Sequence, residues 1–202
     1  MEMIDLLHDG LVSSRRVRVL AQAVAEMLPF GARVLDIGCG DGHIDSVIME
    51  ARPDTVIEGI DVLVRPHTKI PVTFFDGATI PFPSASFDVA MMVDVLHHTL
   101  DPRIMLREAS RVASVLVIKD HFREGLLAQT TLRVMDWVGN ASHGVALPYN
   151  YWSKSEWEST FQSLGLRLAD ARLKLNLYPV PLTWFFDRRL HFVARCEPMV
   201  AK

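Results

Sequence analysis

VLDIGCGDG (residues 34–42) carries more structural information than any other stretch of the chain. Its first half is a short apolar run, β-branched and leucine-rich, interrupted by one acid, Asp36. Its second half alternates Gly38, Gly40 and Gly42, and a helical pattern follows over residues 43–51. The order is strand, tight turn, helix. Glycine has no Cβ, so the backbone can turn sharply and a ligand can approach it closely. The helix that follows offers free amides to whatever is bound. Many nucleotide sites share such a turn. Asp61 narrows the choice, because it ends the next strand candidate, in EGID, at about the 20-residue separation where a carboxylate accepts hydrogen bonds from two ribose hydroxyls.

Outward from this unit the same alternation continues. Residues 55–60 (TVIEGI), 72–75, 87–93 and 114–118 are short apolar runs, and a helical pattern over 102–112 separates the last two. Strands alternating with helices predict an α/β fold with a largely parallel sheet, since each parallel return needs a crossover. Ahead of the unit, apolar residues recur at helical spacing over residues 4–28, Leu7, Leu11, Val17, Leu20, Val24 and Met27 among them. Pro29 marks the stop, and Gly10 a break. Beyond Asp120 the pattern changes to a segment holding Trp137, Trp152 and Trp157, with two possible helices. Residues 120–152 read as a cap over the carboxyl ends of the strands, where the crevice of an open α/β sheet lies. Ser153 with Glu156 fits a capping box that opens a helix running to about Gly165. Residues 167–175 and 189–196 are the last strand candidates.

These segments resemble the class I S-adenosylmethionine-dependent methyltransferases, in particular the branch related to quinone-biosynthesis methyltransferases. The resemblance covers residues 33–120. VLDIGCGDG is similar to the family's first motif, GID to its acidic second motif, and FDGATIPFPSASFDVAMMVDVLHH to its third region. It implies one methyltransferase domain over residues 1–202, a leading helical segment at 1–30, and a three-layer Rossmann-like fold. The seven-stranded sheet would run 3-2-1-4-5-7-6 with the last strand antiparallel. It also implies a cofactor, S-adenosyl-L-methionine, with S-adenosyl-L-homocysteine as product. Gly38 and Gly40 would bracket the methionine moiety, the Gly38 carbonyl facing its ammonium, while Asp36 orders the turn and Cys39 lies within it. Asp61 would hold the ribose with Val62 beside it. Asp76 would accept from the adenine amino group and the backbone of Gly77 and Ala78 would meet the ring nitrogens; the family more often has Ala at position 77. Asp94 would stand near the sulfonium.

Other residues read less specifically. Cys39 has no neighbouring base to activate a thiolate and also fits a small packed residue. His97 and His98 suggest a metal at first sight, but adjacent histidines are expected to diverge and no second ligand pair has matching spacing, so no metal is expected. A sulfonium methyl is already activated, so positioning dominates, and an acceptor that must lose a proton needs a base near neutrality. His98 and His121, on the catalytic edge of the sheet, are the candidates. Residues 132–140 and 143–152 mix flat apolar surface with amides and phenols, which predicts a largely apolar acceptor touched by Tyr149, Asn150 or Tyr151. YPVPLTWFF (residues 178–186) could line the pocket, pair protomers or simply pack.

Composition bounds the rest. With 202 residues, 50% hydrophobic and 22% charged, the chain can bury one sizeable core. The formal net charge of −3 provides no basic field for a nucleic acid, and Arg15, Arg16 and Arg18 read as a solvated helix face. After the fourth strand the chain has DVLH, not the Asn-Pro-Pro-aromatic motif of nucleic-acid amino-methylating enzymes. A small-molecule acceptor is therefore expected. Two cysteines, no basic leader and no membrane-spanning run fit a cytoplasmic protein, monomer or homodimer. Two alternatives stand beside this reading. A nicotinamide-dependent reductase would need a small residue where the glycine fingerprint meets His43. A regulatory or partner protein could bind the cofactor without turnover.

Overall fold

Every apolar run forms a strand. The computed structural model describes residues 13–140 and 147–199. Its strands are β1 (Arg33–Ile37), β2 (Val56–Asp61), β3 (Val72–Phe74), β4 (Phe87–Val93), β5 (Ala113–His121), β6 (Leu166–Arg172) and β7 (His191–Pro198). They make one sheet in the order β3-β2-β1-β4-β5-β7-β6. The pairs from β3 to β5 are parallel, and β7 runs antiparallel to both β5 and β6. This is the α/β architecture expected from the resemblance.

Helices α1 (Ser13–Ala25), α2 (His43–Ala51), α3 (Pro102–Val112), α4 (Ala128–Asn140), α5 (Lys154–Ser163) and the short α6 (Thr183–Phe186) flank the sheet. The start of the expected leading helix, before Ser13, lies outside the described residues. Local chemistry fixes several ends. Asp101 caps α3 by accepting from Arg103 N, with Pro102 in the first turn, where its missing N–H costs nothing. Ser153 and Glu156 form the reciprocal capping box of α5.

Side chains alternate across the strands and separate the core into two layers. Leu35, Ala90, Met92, Leu116 and Ile118 pack with Met105 and Leu106 of α3 and Trp157 and Phe161 of α5. Val34, Ile57, Val89, Met91 and Val117 pack with Leu20 and Val24 of α1 and Ile48 of α2. Both faces of the sheet are covered, so its central strands are largely apolar, with Asp36 of β1 an exception. β5 departs from that rule. It continues past the apolar run through Lys119, Asp120 and His121, all buried and still paired with β7. No helix among the described residues is long and apolar enough to cross a membrane.

Chain order reverses between β1 and β4, the place where an open α/β sheet forms its ligand crevice. The turn after β1 and the 3₁₀ turn Leu96–His98 after β4 border it.

Candidate active site

The glycine turn is built for close contact with its neighbours. Gly38 has φ +78°, and a Cβ there would lie 2.6 Å from Val95 Cγ2. Gly59 of β2 accommodates Cys39, whose Sγ would be 2.3 Å from a Cβ at that position. Cys39 is thus a packed residue, and burial pushes its thiol far above the ordinary range. The turn's amides are less free than the sequence suggested. Gly38 N and Cys39 N donate to Ile60 O, Gly42 N donates to Cys39 O, and Gly40 N donates to Asp61 Oδ2 at 2.8 Å. Asp61 Oδ1 accepts from Leu63 N at 2.8 Å. Two backbone amides therefore fix this carboxylate at the end of β2, and each oxygen keeps a lone pair for another donor. Val62 beside it is exposed.

Beneath the turn lies a pair of acids, Asp36 and Asp45, that meets no cationic side chain among the described residues. Asp45, in the first turn of α2, is fully buried; neither of its oxygens, nor Asp36 Oδ1, has a donor partner. Burial and the mutual repulsion of the two carboxyls push Asp36 well above the ordinary carboxylate range, and burial raises Asp45 to about 6.

Asp76 Oδ1 accepts from Ala78 N (2.8 Å) and Thr79 N (2.7 Å), bonds that hold the carboxyl below its ordinary value. The Ala78 amide is engaged there, so in this arrangement it is not the amide that meets a ring nitrogen. Gly77, at φ +81°, sits against Val62.

The ends of β4 and β5 carry a buried ionic network. Asp94, at φ +58°, pairs with Lys119 and with Arg16 from α1. Burial alone would raise the Asp94 carboxyl, yet these two cations hold it well below the usual range. Arg16, expected on a solvated helix face, keeps part of its side chain exposed but turns its guanidinium to Asp94, while Arg18 is exposed. Asp120 accepts from Leu96 N at 3.1 Å, His121 N at 2.8 Å and His97 Nδ1 at 2.7 Å, and so ties β5 to the 3₁₀ turn. His97 Nε2 lies 3.4 Å from Asp136 of α4. Burial would make His97 less basic, but Asp120 and Asp136 raise it to about 10. His121 goes the other way, down to about 4, through burial and the neighbouring Lys119 ammonium. Burial and the charge of His97 lower His98 as well. At neutral pH the site thus holds one imidazolium and two neutral imidazoles.

The methyltransferase domain model matches residues 12–171, most of the chain. The chain belongs to that family. Its fold is that of the class I S-adenosylmethionine-dependent members. The chain is 32% identical over 108 residues to 27-O-demethylrifamycin SV methyltransferase of Amycolatopsis mediterranei, covering 46% of this chain and 39% of that protein. It is 34% identical over 95 residues to the tRNA (carboxymethyluridine(34)-5-O)-methyltransferase of Schizosaccharomyces pombe, covering 45% and 40%. The chain thus matches about two fifths of the length of each of these curated relatives. Among solved structures, the fold matches Burkholderia thailandensis 1,6-didemethyltoxoflavin-N1-methyltransferase, bound to 1,6-didemethyltoxoflavin and S-adenosylhomocysteine. The TM-score is 0.65 at 16% identity, over 98% of this chain and 86% of that one. It also matches a chain from the complex of the Haloferax volcanii Trm112 methyltransferase activator with a methyltransferase, with a TM-score of 0.70 at 15% identity over 96% of both chains.

In this methyltransferase domain the three residues expected to meet an acceptor take distinct places. Asn150 N donates to His97 O, and Asn150 Nδ2 donates to Thr99 O and Leu100 O, both at 3.2 Å. Asn150 therefore fastens the segment to the 3₁₀ turn. Tyr151 is buried, stacks on His97 at 5.5 Å, and donates its hydroxyl to Asp136. Tyr149, at φ +55°, lies under the Arg133 guanidinium at 4.9 Å. Of the residues 143–152 segment, positions 143–146 lie outside the described residues.

Sequence reasoning missed Arg16, His97, Lys119, Asp120 and Asp136. A Lys-Asp pair inside an otherwise apolar strand was the available signal for two of them, since unpaired charges are rarely buried. His97 and His98 also do not diverge: their ring centroids are 4.1 Å apart.

Proposed function

We propose that this chain transfers the methyl group of S-adenosylmethionine to a small, partly apolar acceptor. The observation that carries the reading is Asp61, held by Gly40 N and Leu63 N at the end of β2 beside the glycine turn, with acceptor capacity still available. The residues present fit the cofactor. Asp61 would accept from the ribose hydroxyls, and the Gly38 and Gly40 region would hold the methionine end. The Asp36 and Asp45 pair beneath it, pushed toward its neutral forms by burial, would ionise more readily beside a cationic ligand. Asp76 and Gly77 would face the adenine, and Asp94 the methionine end. Bound there, S-adenosylmethionine supplies a methyl already activated for in-line displacement.

The chain's own part is then to orient the acceptor, exclude water and remove a proton where the acceptor carries one. His98 and His121, both neutral at pH 7, are the groups proposed to take it, His121 as a weak base because burial and Lys119 lower it to about 4. In this reading the described parts of residues 120–152 would cap this edge, within a single domain. A small acceptor is favoured by the formal net charge of −3, which gives no field for a polyanion. The relative from Amycolatopsis is named for a small molecule; the one from Schizosaccharomyces is named for a tRNA, so a tRNA arm belongs in the acceptor screen.

Calorimetric titration with S-adenosylmethionine and S-adenosylhomocysteine tests the reading. Wild type should bind at micromolar concentrations, and Asp61→Ala should weaken binding by roughly 1.5–3 kcal/mol, the order expected for hydrogen bonds to a charged group. Absence of binding to the wild type would remove the cofactor assignment.

A further inference from the structure

His97 and His98 have a second property that methyl transfer to a purely organic acceptor does not require. The 3₁₀ turn folds the two rings together; His97 Nε2, also buried, has a long 3.4 Å ion pair with Asp136 Oδ2, whereas His98 Nδ1 is buried without a hydrogen-bond partner. Buried imidazole nitrogens in that condition are uncommon, because desolvating them without compensation costs free energy. Asp136 Oδ2 stands 3.4 Å from His97 Nε2, and one atom from each of His97, His98 and Asp136 lies within 4.8 Å of the others. A spacing of about 3.4 Å is that of two ligands around a tetrahedral ion with bonds of about 2.1 Å.

Each of two candidate ligands is oriented by a neighbouring side chain. Asp120 accepts from His97 Nδ1 at 2.7 Å, which leaves Nε2 to face the cluster. The Tyr151 hydroxyl donates to Asp136 Oδ2, the same oxygen that faces His97 Nε2. A carboxylate behind a ligating histidine and a hydrogen bond behind a ligating carboxylate are the outer partners that fix ligand orientation in metal sites. A bridge from a protonated His97 to both aspartates would account for the carboxylates, yet it leaves His98 Nδ1 orphaned. A neighbouring cluster of Asp94, His97 and His121 is less suited, because Lys119 and Arg16 already neutralise Asp94 and would repel an ion.

We infer that His97 Nε2, His98 Nδ1 and Asp136 Oδ2 bind a first-row divalent transition-metal ion, whose remaining positions would be taken by water or by an oxygen of the acceptor. Two imidazoles with one carboxylate favour zinc, iron or manganese over magnesium or calcium, which prefer all-oxygen sets. Binding displaces any proton on His97 Nε2 to solvent. A metal-bound hydroxyl is more acidic, so the ion would prepare an acceptor oxygen for methylation. His98 then serves as a ligand, and His121 is left to take the proton. The binding claim stands apart from methyl transfer; the catalytic role rests on it.

The test uses chelator-treated full-length protein without cofactor, titrated calorimetrically with Zn²⁺ and separately with Mn²⁺. X-ray absorption on the zinc-loaded sample reads the ligands. One ion per chain is expected for Zn²⁺, with two imidazoles and oxygen in its shell. His98→Gln and Asp136→Asn should each weaken zinc binding at least 10-fold, and Tyr151→Phe by a smaller factor. Circular dichroism identifies any variant that fails to fold, and His98→Gln, at a half-buried position outside the two main core layers, provides the safer arm. No stoichiometric binding to wild type, or equal affinity in folded His98→Gln, would overturn the site whether or not S-adenosylmethionine binds.

Discussion

Asp45 shows how burial and charge conflict within a single side chain. It has no exposed surface and no donor on either oxygen, and it faces Asp36 at the base of the glycine turn. Its folded value of about 6 exceeds the ordinary 3.8, so its contribution to stability is present below pH 3.8 and is lost as pH rises through 6. Above that window the folded state must hold a carboxylate beside Asp36. Asp45→Asn removes the charge and adds an amide able to donate to Asp36. The expected result is a gain of about 1–2 kcal/mol in urea unfolding at pH 7.5, within the roughly 3 kcal/mol that a shift of this size allows. The gain should shrink toward pH 4. A loss of stability at pH 7.5 would mean that Asp45 is ionised with an effective partner.

At the scale of elements, α5 is stabilised chiefly where it begins. Glu156 N donates to Ser153 Oγ at 3.3 Å, and Ser153 N donates to Glu156 Oε2 at 2.7 Å. Ser153→Ala should cost about 1 kcal/mol by thermal or urea unfolding. Ser153→Ala combined with Glu156→Ala should cost less than the sum, since either change breaks the reciprocal arrangement. This helix start was legible because both partners lie three residues apart. So were the strands, whose period and punctuation are local. The carboxyl end of β5 was not. Lys119, Asp120 and His121 interrupt the apolar pattern, and they stay in the strand because their partners arrive from α1, from the end of β4 and from the 3₁₀ turn. Asp136 was equally hidden, since nothing near it in the chain announces His97 or Tyr151. Asp61 and the glycine turn lay between these cases: spacing and resemblance located them, while the amides that fix the carboxylate became visible only with β2 folded against β1.

The ionic cluster of Arg16, Asp94 and Lys119 joins three segments far apart in sequence and so belongs to the molecule as a whole. Lys119→Met should be strongly destabilising, by about 3 kcal/mol, because it leaves Asp94 with Arg16 as the remaining cation. Adding Asp94→Asn to Lys119→Met should recover part of that loss in urea unfolding. A double variant as unstable as the summed single variants would show that the two residues do not act as a pair. The cofactor crevice makes a separate demand on the whole fold. Its walls come from the turn after β1, the end of β2 and the turn after β4, which are in place together only in the native sheet. A ligand that needs all three binds the native state and not the unfolded chain. At about 100 times its dissociation constant it should add about 2.7 kcal/mol to stability. For a domain of this size that corresponds to a rise in Tm of about 5–10 °C with S-adenosylhomocysteine. Asp61→Ala should lower the rise at the same ligand concentration while leaving the ligand-free Tm close to wild type, because each oxygen it removes holds a single exposed-turn amide. A full rise in Asp61→Ala would place the ligand elsewhere on the molecule.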